Sequence, residues 1–164
     1  MTKLETTVRM YQSSICITNL IVIFIVRINE ANVAFEKVYW LSTYFSQDWD
    51  KAKSLCKSYD MELASLDTPV EASKFLELSK QNSALFDVTT YIGSLSTKAQ
   101  SRTELFKPRV EEKENSLKVL GVEKSSEVDK RVCPALEKES KSFFFTNVVC
   151  ASENIKYKFV CQSV

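Results

Sequence analysis

The chain has 164 residues, 45% of them hydrophobic and 26% charged, with a formal net charge of +1. That composition fits one folded domain, and a charge so near zero removes the electrostatic case for nucleic acid. The sequence has no histidine and only two glycines, Gly93 and Gly121, which excludes the usual general base, the commonest metal ligand and a glycine-rich phosphate loop, so enzyme activity is not expected.

Residues 1–34 read as an address. Lys3 and Arg9 precede an apolar run from Ile15 to Val26, and small residues follow at Ala31 and Ala34. A basic start, an apolar run and a small-residue exit make a secretory signal peptide, with cleavage expected near residues 31–34. The run is shorter than the ~18 apolar residues that mark a membrane span, and Asn19 interrupts it, so a membrane partner is not expected. A retained anchor and a buried segment of the mature fold are the alternatives. Removal takes Lys3, Arg9, Arg27, Glu5 and Glu30, and leaves a formally neutral extracellular domain over 35–164. Cys16 would leave with the leader. Cys56, Cys133, Cys150 and Cys161 remain, an even number that implies two disulfides in an oxidising compartment, with three pairings open. None of them has the C-x-x-C spacing of a zinc site.

Elements follow in order. Lys37–Ser42 is rich in strand formers. Ser46 can cap a first helix in which Trp49, Ala52, Cys56 and Tyr59 share one face, ending near Asp60. Met61–Leu66 is a short buried connector. In the second helix Thr68 is the N-cap, Pro69 the first helical residue and Glu71 closes a capping box; Ala72, Phe75, Leu76 and Ser79 form its inner face, and it frays near Asn82. Tyr91-Ile92-Gly93 is a brief apolar stretch. Residues 94–132, rich in Lys, Glu and Ser, predict a long irregular loop with a helical turn around Glu111–Leu120. Phe143–Val149 and Tyr157–Val160 predict two strands joined as a hairpin, with Tyr157, Phe159 and Cys161 on one face. Period two also turns at least one residue of the Phe143–Phe145 run outward.

Several short motifs, taken in order, resemble the C-type lectin-like domain family. They are Trp49-x-x-Ala52-x-x-x-Cys56, Leu63-Ala64-Ser65-Leu66, Tyr91-Ile92-Gly93, Cys133-Pro-Ala-Leu136, Phe145-Thr-Asn-Val-Val-Cys150 and Lys158-Phe-Val-Cys161. The match runs from about residue 36 to the end and is poor over 94–132. The resemblance implies an α+β C-type lectin-like fold: two helices, small antiparallel sheets, a long irregular loop, and disulfides Cys56–Cys161 and Cys133–Cys150. The family commonly has Gly where Asp60 stands, at a left-handed backbone position.

In sugar-binding members of that family, Trp-Asn-Asp stands where this chain has Phe145-Thr146-Asn147, and the Asn and Asp hold calcium. Calcium wants about six to eight oxygens with carboxylates among them. A hydroxyl and a neutral amide replace the Asn–Asp pair here, and the loop lacks the family's Glu-Pro-Asn or Gln-Pro-Asp triplet; its only proline, Pro108, lies between Lys107 and Arg109. The expectation is a secreted binding module with no cofactor, which recognises an extracellular protein or another macromolecule without calcium. The alternative is a calcium-dependent carbohydrate-binding lectin with ligands from Glu104, Glu111, Glu112, Glu114 or Asp129.

Overall fold

The structure, a computed structural model, describes residues 7–11, 21–30, 33–42, 45–46, 48–108, 131–151 and 155–164, with side chains from Glu36 onward. Helix α1 spans Trp49–Ser58. Its N-cap is Asp48 rather than Ser46: the Asp48 carboxylate accepts from the amides of Asp50 at 2.8 Å and Lys51 at 3.3 Å. A carboxylate suits the positive helix N-terminus better than a hydroxyl does. Ser46 instead donates its hydroxyl to the Asp48 carbonyl at 2.7 Å, and its backbone bridges to Tyr157. Ala52 and Cys56 are buried, but Tyr59 is 60% exposed because the helix ends there. Asp60 then reverses the chain with φ 56°.

Helix α2 spans Pro69–Gln81, with Thr68 as N-cap and Asn82 as C-cap. Thr68 Oγ1 accepts from the Glu71 amide at 3.2 Å, and the Glu71 carboxylate accepts from the Asp67 amide at 2.7 Å. The capping box therefore closes one residue earlier than its usual form. Ala72, Phe75, Leu76 and Ser79 are buried, and the Ser79 hydroxyl is satisfied by the Phe75 carbonyl. Glu71 is buried as well, yet one charged partner holds it: Lys37 Nζ lies 3.2 Å from it and also 3.2 Å from Asp67.

The strands are β1 (Thr7–Tyr11), β2 (Ile21–Glu30), β3 (Val33–Leu41), β4 (Met61–Leu63), β5 (Ser65–Leu66), β6 (Thr90–Tyr91), β7 (Ser94–Leu95), β8 (Val132–Glu139), β9 (Ser142–Val149) and β10 (Lys158–Ser163). A one-turn helix α3, Thr97–Gln100, follows β7. The main sheet runs β1-β2-β3-β10-β6-β8-β9, with β4 also paired to β10; β5 and β7 form a separate parallel pair. The expected hairpin between β9 and β10 does not form. Strand β10 is buried on both faces, from Phe159 to Gln162, so it belongs inside the sheet, between β3 and β6. The hairpin partner of β9 is β8, from Val132↔Val149 to Glu139↔Ser142. Pro134 and the charges at Glu137, Lys138 and Glu139 had masked β8 as a strand.

The second half of the expected leader is also strand. Ile21-Val-Ile-Phe-Ile-Val26 is dominated by β-branched residues, and β2 pairs with β3 from Val22↔Leu41 to Glu30↔Val33. Cys16 and the start of the apolar run lie outside the described residues, as does the turn expected around Glu111–Leu120.

Phe75 is the hub of the larger core cluster, with ring centroids 5.2 Å from Tyr39, 5.9 Å from Phe86 and 6.2 Å from Phe145. Phe143, Phe144 and Phe145 are all buried, so the expectation of an outward-facing Phe is corrected. The physical reason is that both faces of β9 are covered. Phe145 packs toward α2, while Lys107 Nζ sits 4.5 Å above the Phe144 ring. The segment before Pro108 runs along β9, with the Phe145 amide donating to Leu105 and the Lys107 amide to Phe145.

Phe145→Ala should therefore cost about 3–5 kcal/mol, read as a lower urea midpoint at unchanged slope. A second prediction concerns acid. Lys158 Nζ donates to Asp87 at 2.7 Å and to the Leu85 carbonyl at 2.8 Å, and the hydrogen bond from Lys158 lowers the Asp87 pKa. A lowered folded-state pKa stabilises above the ordinary carboxylate value and loses that contribution as pH falls through the folded one. Below about pH 4 the parent should lose stability more steeply than Asp87→Asn, by a small margin because Asp87 is half exposed. Urea titrations of both chains from neutral pH into acid check it.

Candidate binding site

Phe145, Thr146 and Asn147 lie in the middle of β9, where side chains alternate between two covered faces. Phe145 is fully buried and Thr146 is 1% exposed, so neither presents an oxygen to solvent. Asn147, opposite Pro134, is half-buried and supplies one neutral amide. Glu104 is exposed and faces Arg102 at 3.6 Å. Glu111, Glu112, Glu114 and Asp129 lie outside the described residues. Among the described residues, no three His, Cys, Asp or Glu side chains gather as a metal site.

Two disulfides frame the domain. Cys56–Cys161 joins α1 to β10 with a Cα separation of 5.6 Å, and Cys133–Cys150 joins β8 to the end of β9 at 5.1 Å. These are the two pairs that the resemblance implies. Their sequence separations are 105 and 17. Chain-entropy arguments assign roughly 4.7 kcal/mol to a loop of the longer size and about 3 kcal/mol to the shorter.

A groove that sequence reasoning missed lies between α1 and β4. Its volume is about 600 Å³, within the ~300–1,000 Å³ of small-ligand sites. Trp49, Lys53 and Lys57 line it from α1, four residues apart and so on one helix face. Asp60, Met61, Glu62 and Leu63 line it from the turn and β4, and Gly93 and Ser94 lie beside them. Trp49 Nε1 donates to the Ile92 carbonyl at 2.8 Å, which pins the indole, and Lys53 Nζ lies 5.4 Å from the ring centroid. Gly93 is required by close approach: a Cβ there would lie 2.6 Å from the Leu63 carbonyl oxygen. The helical spacing of Trp49, Lys53 and Lys57 was legible in the sequence. The strand wall was not, because only the fold brings residues 93–94 beside β4.

Two phenols in the domain have raised pKa values. Burial pushes Tyr39 up, with the charges of Glu71 and Asp67 adding to it. Burial likewise pushes up Tyr91, whose hydroxyl donates to the Val149 carbonyl at 3.1 Å. Neither lines the groove.

A scan against protein-family models finds no match, and a search of curated proteins finds no similar sequence. The described residues define an α+β domain with two disulfides.

Introducing an Asn–Asp pair at residues 146 and 147 should not create a calcium site. The double variant Thr146→Asn, Asn147→Asp places its new amide at an enclosed position, away from any second carboxylate cluster among the described residues. Its melting temperature should be lower than the parent's and should not rise with calcium, as read by differential scanning calorimetry with and without the ion.

Proposed function

We propose that this chain is a C-type lectin-like domain that is secreted and recognises a protein or another macromolecular partner without calcium. The observation that carries the calcium-free reading is the enclosure of Thr146 within β9, at one of the two positions where sugar-binding members of that family hold the ion. The family reading draws support from the disulfide frame and the helix order, and from Asp60, whose φ of 56° falls where those proteins commonly have Gly. Secretion draws support from the two disulfides, which persist in oxidising compartments. Among the described residues no helix is long and apolar enough to cross a membrane. Loss of 1–34 would remove β1 and β2, while both disulfides and both described core clusters lie beyond residue 35.

Calorimetric titration of calcium into the secreted, oxidised protein tests the reading. The expected result is no binding heat and no change in melting temperature up to about 10 mM, beyond the ~1 mM of the weakest extracellular sites. Saturable heat with a stability gain would instead establish the calcium-dependent lectin, and Glu104, Glu111, Glu112, Glu114 and Asp129 would be the ligands to substitute first. N-terminal sequencing of the same material reads the cleavage near residues 31–34.

A further inference from the structure

We propose that, once residues 1–34 are removed, the vacated edge of β3 pairs with the same edge of a second copy, so that the secreted protein is a two-fold homodimer. This rests on the secreted reading above and goes beyond it by naming a self-contact.

β3 lies between β10 and β2, and β2 runs antiparallel along all of it, from Val22↔Leu41 to Glu30↔Val33. The outer edge of β3 is therefore one that an antiparallel strand can reach along its whole length. The inner edge belongs to β10: the Ser42 amide donates to the Phe159 carbonyl at 3.0 Å, and Trp40 pairs with Cys161. Successive residues of an antiparallel ladder bond toward opposite edges. The even residues of β3 thus bond toward β10, and Phe35, Lys37, Tyr39 and Leu41 direct their amides and carbonyls toward β2. Cleavage near residues 31–34 takes β2 away and keeps these four.

The edge so exposed is not blunted. A strand edge is a template for another strand unless proline, a bulge or an outward charge guards it. Residues 35–41, Phe-Glu-Lys-Val-Tyr-Trp-Leu, contain no proline, and their pairing with β2 runs without a bulge. The Lys37 ammonium does not guard the edge, because it is drawn 3.2 Å from Asp67 and 3.2 Å from Glu71 at the start of α2. Val38, Tyr39 and Trp40 are strand formers.

Self-complementarity selects a second copy as the occupant. A two-fold register centred on Val38 uses all of 35–41: Val38 opposes itself, Lys37 opposes Tyr39, Glu36 opposes Trp40 and Phe35 opposes Leu41. An axis at Glu36 or Lys37 would set like charges directly against each other. Val38 and Trp40 are half-buried and share one face, so they have surface left to cover across the axis. A contact made by the same patch on both copies closes on itself. At the far end of the sheet, the segment from Leu105 to Lys107 borders β9 at Phe145, which leaves β3 as the edge for pairing.

The test uses the secreted, oxidised protein, sequenced from its N-terminus and then sedimented from about 10 μM to about 1 mM, the range of weak specific contacts. The dimer should predominate at the upper end. In a mixture of isotope-labelled and unlabelled copies, isotope-filtered NOE spectra should show the Val38 methyls of one copy against those of the other. The Lys37 and Tyr39 amides should exchange more slowly as concentration rises. Val38→Lys sets two ammonium groups across the axis and should weaken the dimer about five- to tenfold. A monomer at about 1 mM overturns the proposal. So does a dimer that Val38→Lys leaves intact, or one that gives no Val38 contact between copies. These results leave the secreted, calcium-free reading standing. Residues 21–30 still present in the secreted material would sink the leader reading, and this proposal with it.

Discussion

The Cys56–Cys161 bridge and the strand it holds are what the rest of the structure depends on. Strand β10 is the last element of the chain, yet it lies in the middle of the sheet, antiparallel to β3 and β4 and parallel to β6. Every one of those pairings closes a long loop, and loop closure is the entropic cost that opposes them. The bridge meets that cost in the unfolded chain, by tying α1 to β10 across 105 residues. With β10 in place, β6 is positioned to receive β8, and β9 completes the sheet.

The α2 side of the sheet is held differently. Phe75, Tyr39, Phe86 and Phe145 form an aromatic contact set, and Lys37 ties β3 to the start of α2 through Asp67 and the buried Glu71. Glu71 also accepts from the Asp67 amide. A buried carboxylate is tolerable only where its oxygens are met in this way. One residue thus serves the helix cap, the ion pair and the strand contact together.

A consequence of this packing is that β9 serves as core strand rather than as a ligand platform. Its outer neighbour is the segment from Leu105 to Lys107, and its Phe run is buried from both sides. The concave surface lies instead beside α1, where the helix ends at Tyr59 and the Asp60 turn leads straight into β4. The groove is lined by α1, by that turn and β4, and by Gly93 and Ser94.

Much of the helical architecture was legible in the sequence. The Thr68-Pro69-x-Glu71 start and the buried positions of α2 are local signals, set by contacts within a few residues. The number of disulfides followed from the cysteine count in the same way, and the α+β composition from alternating periods of two and 3.6. What only the tertiary structure decided were the non-local matters. Asp48 capped α1 because Ser46 was drawn into a bridge with Tyr157. β8 took up its place because β9 needed an antiparallel partner, despite Pro134 and its charges. β10 lies at the centre because both its faces are covered, from Phe159 to Gln162. The groove had no sequence signature for the same reason: its helix wall repeats every four residues, but its strand wall is assembled from residues 60–63 and 93–94, which only folding makes neighbours.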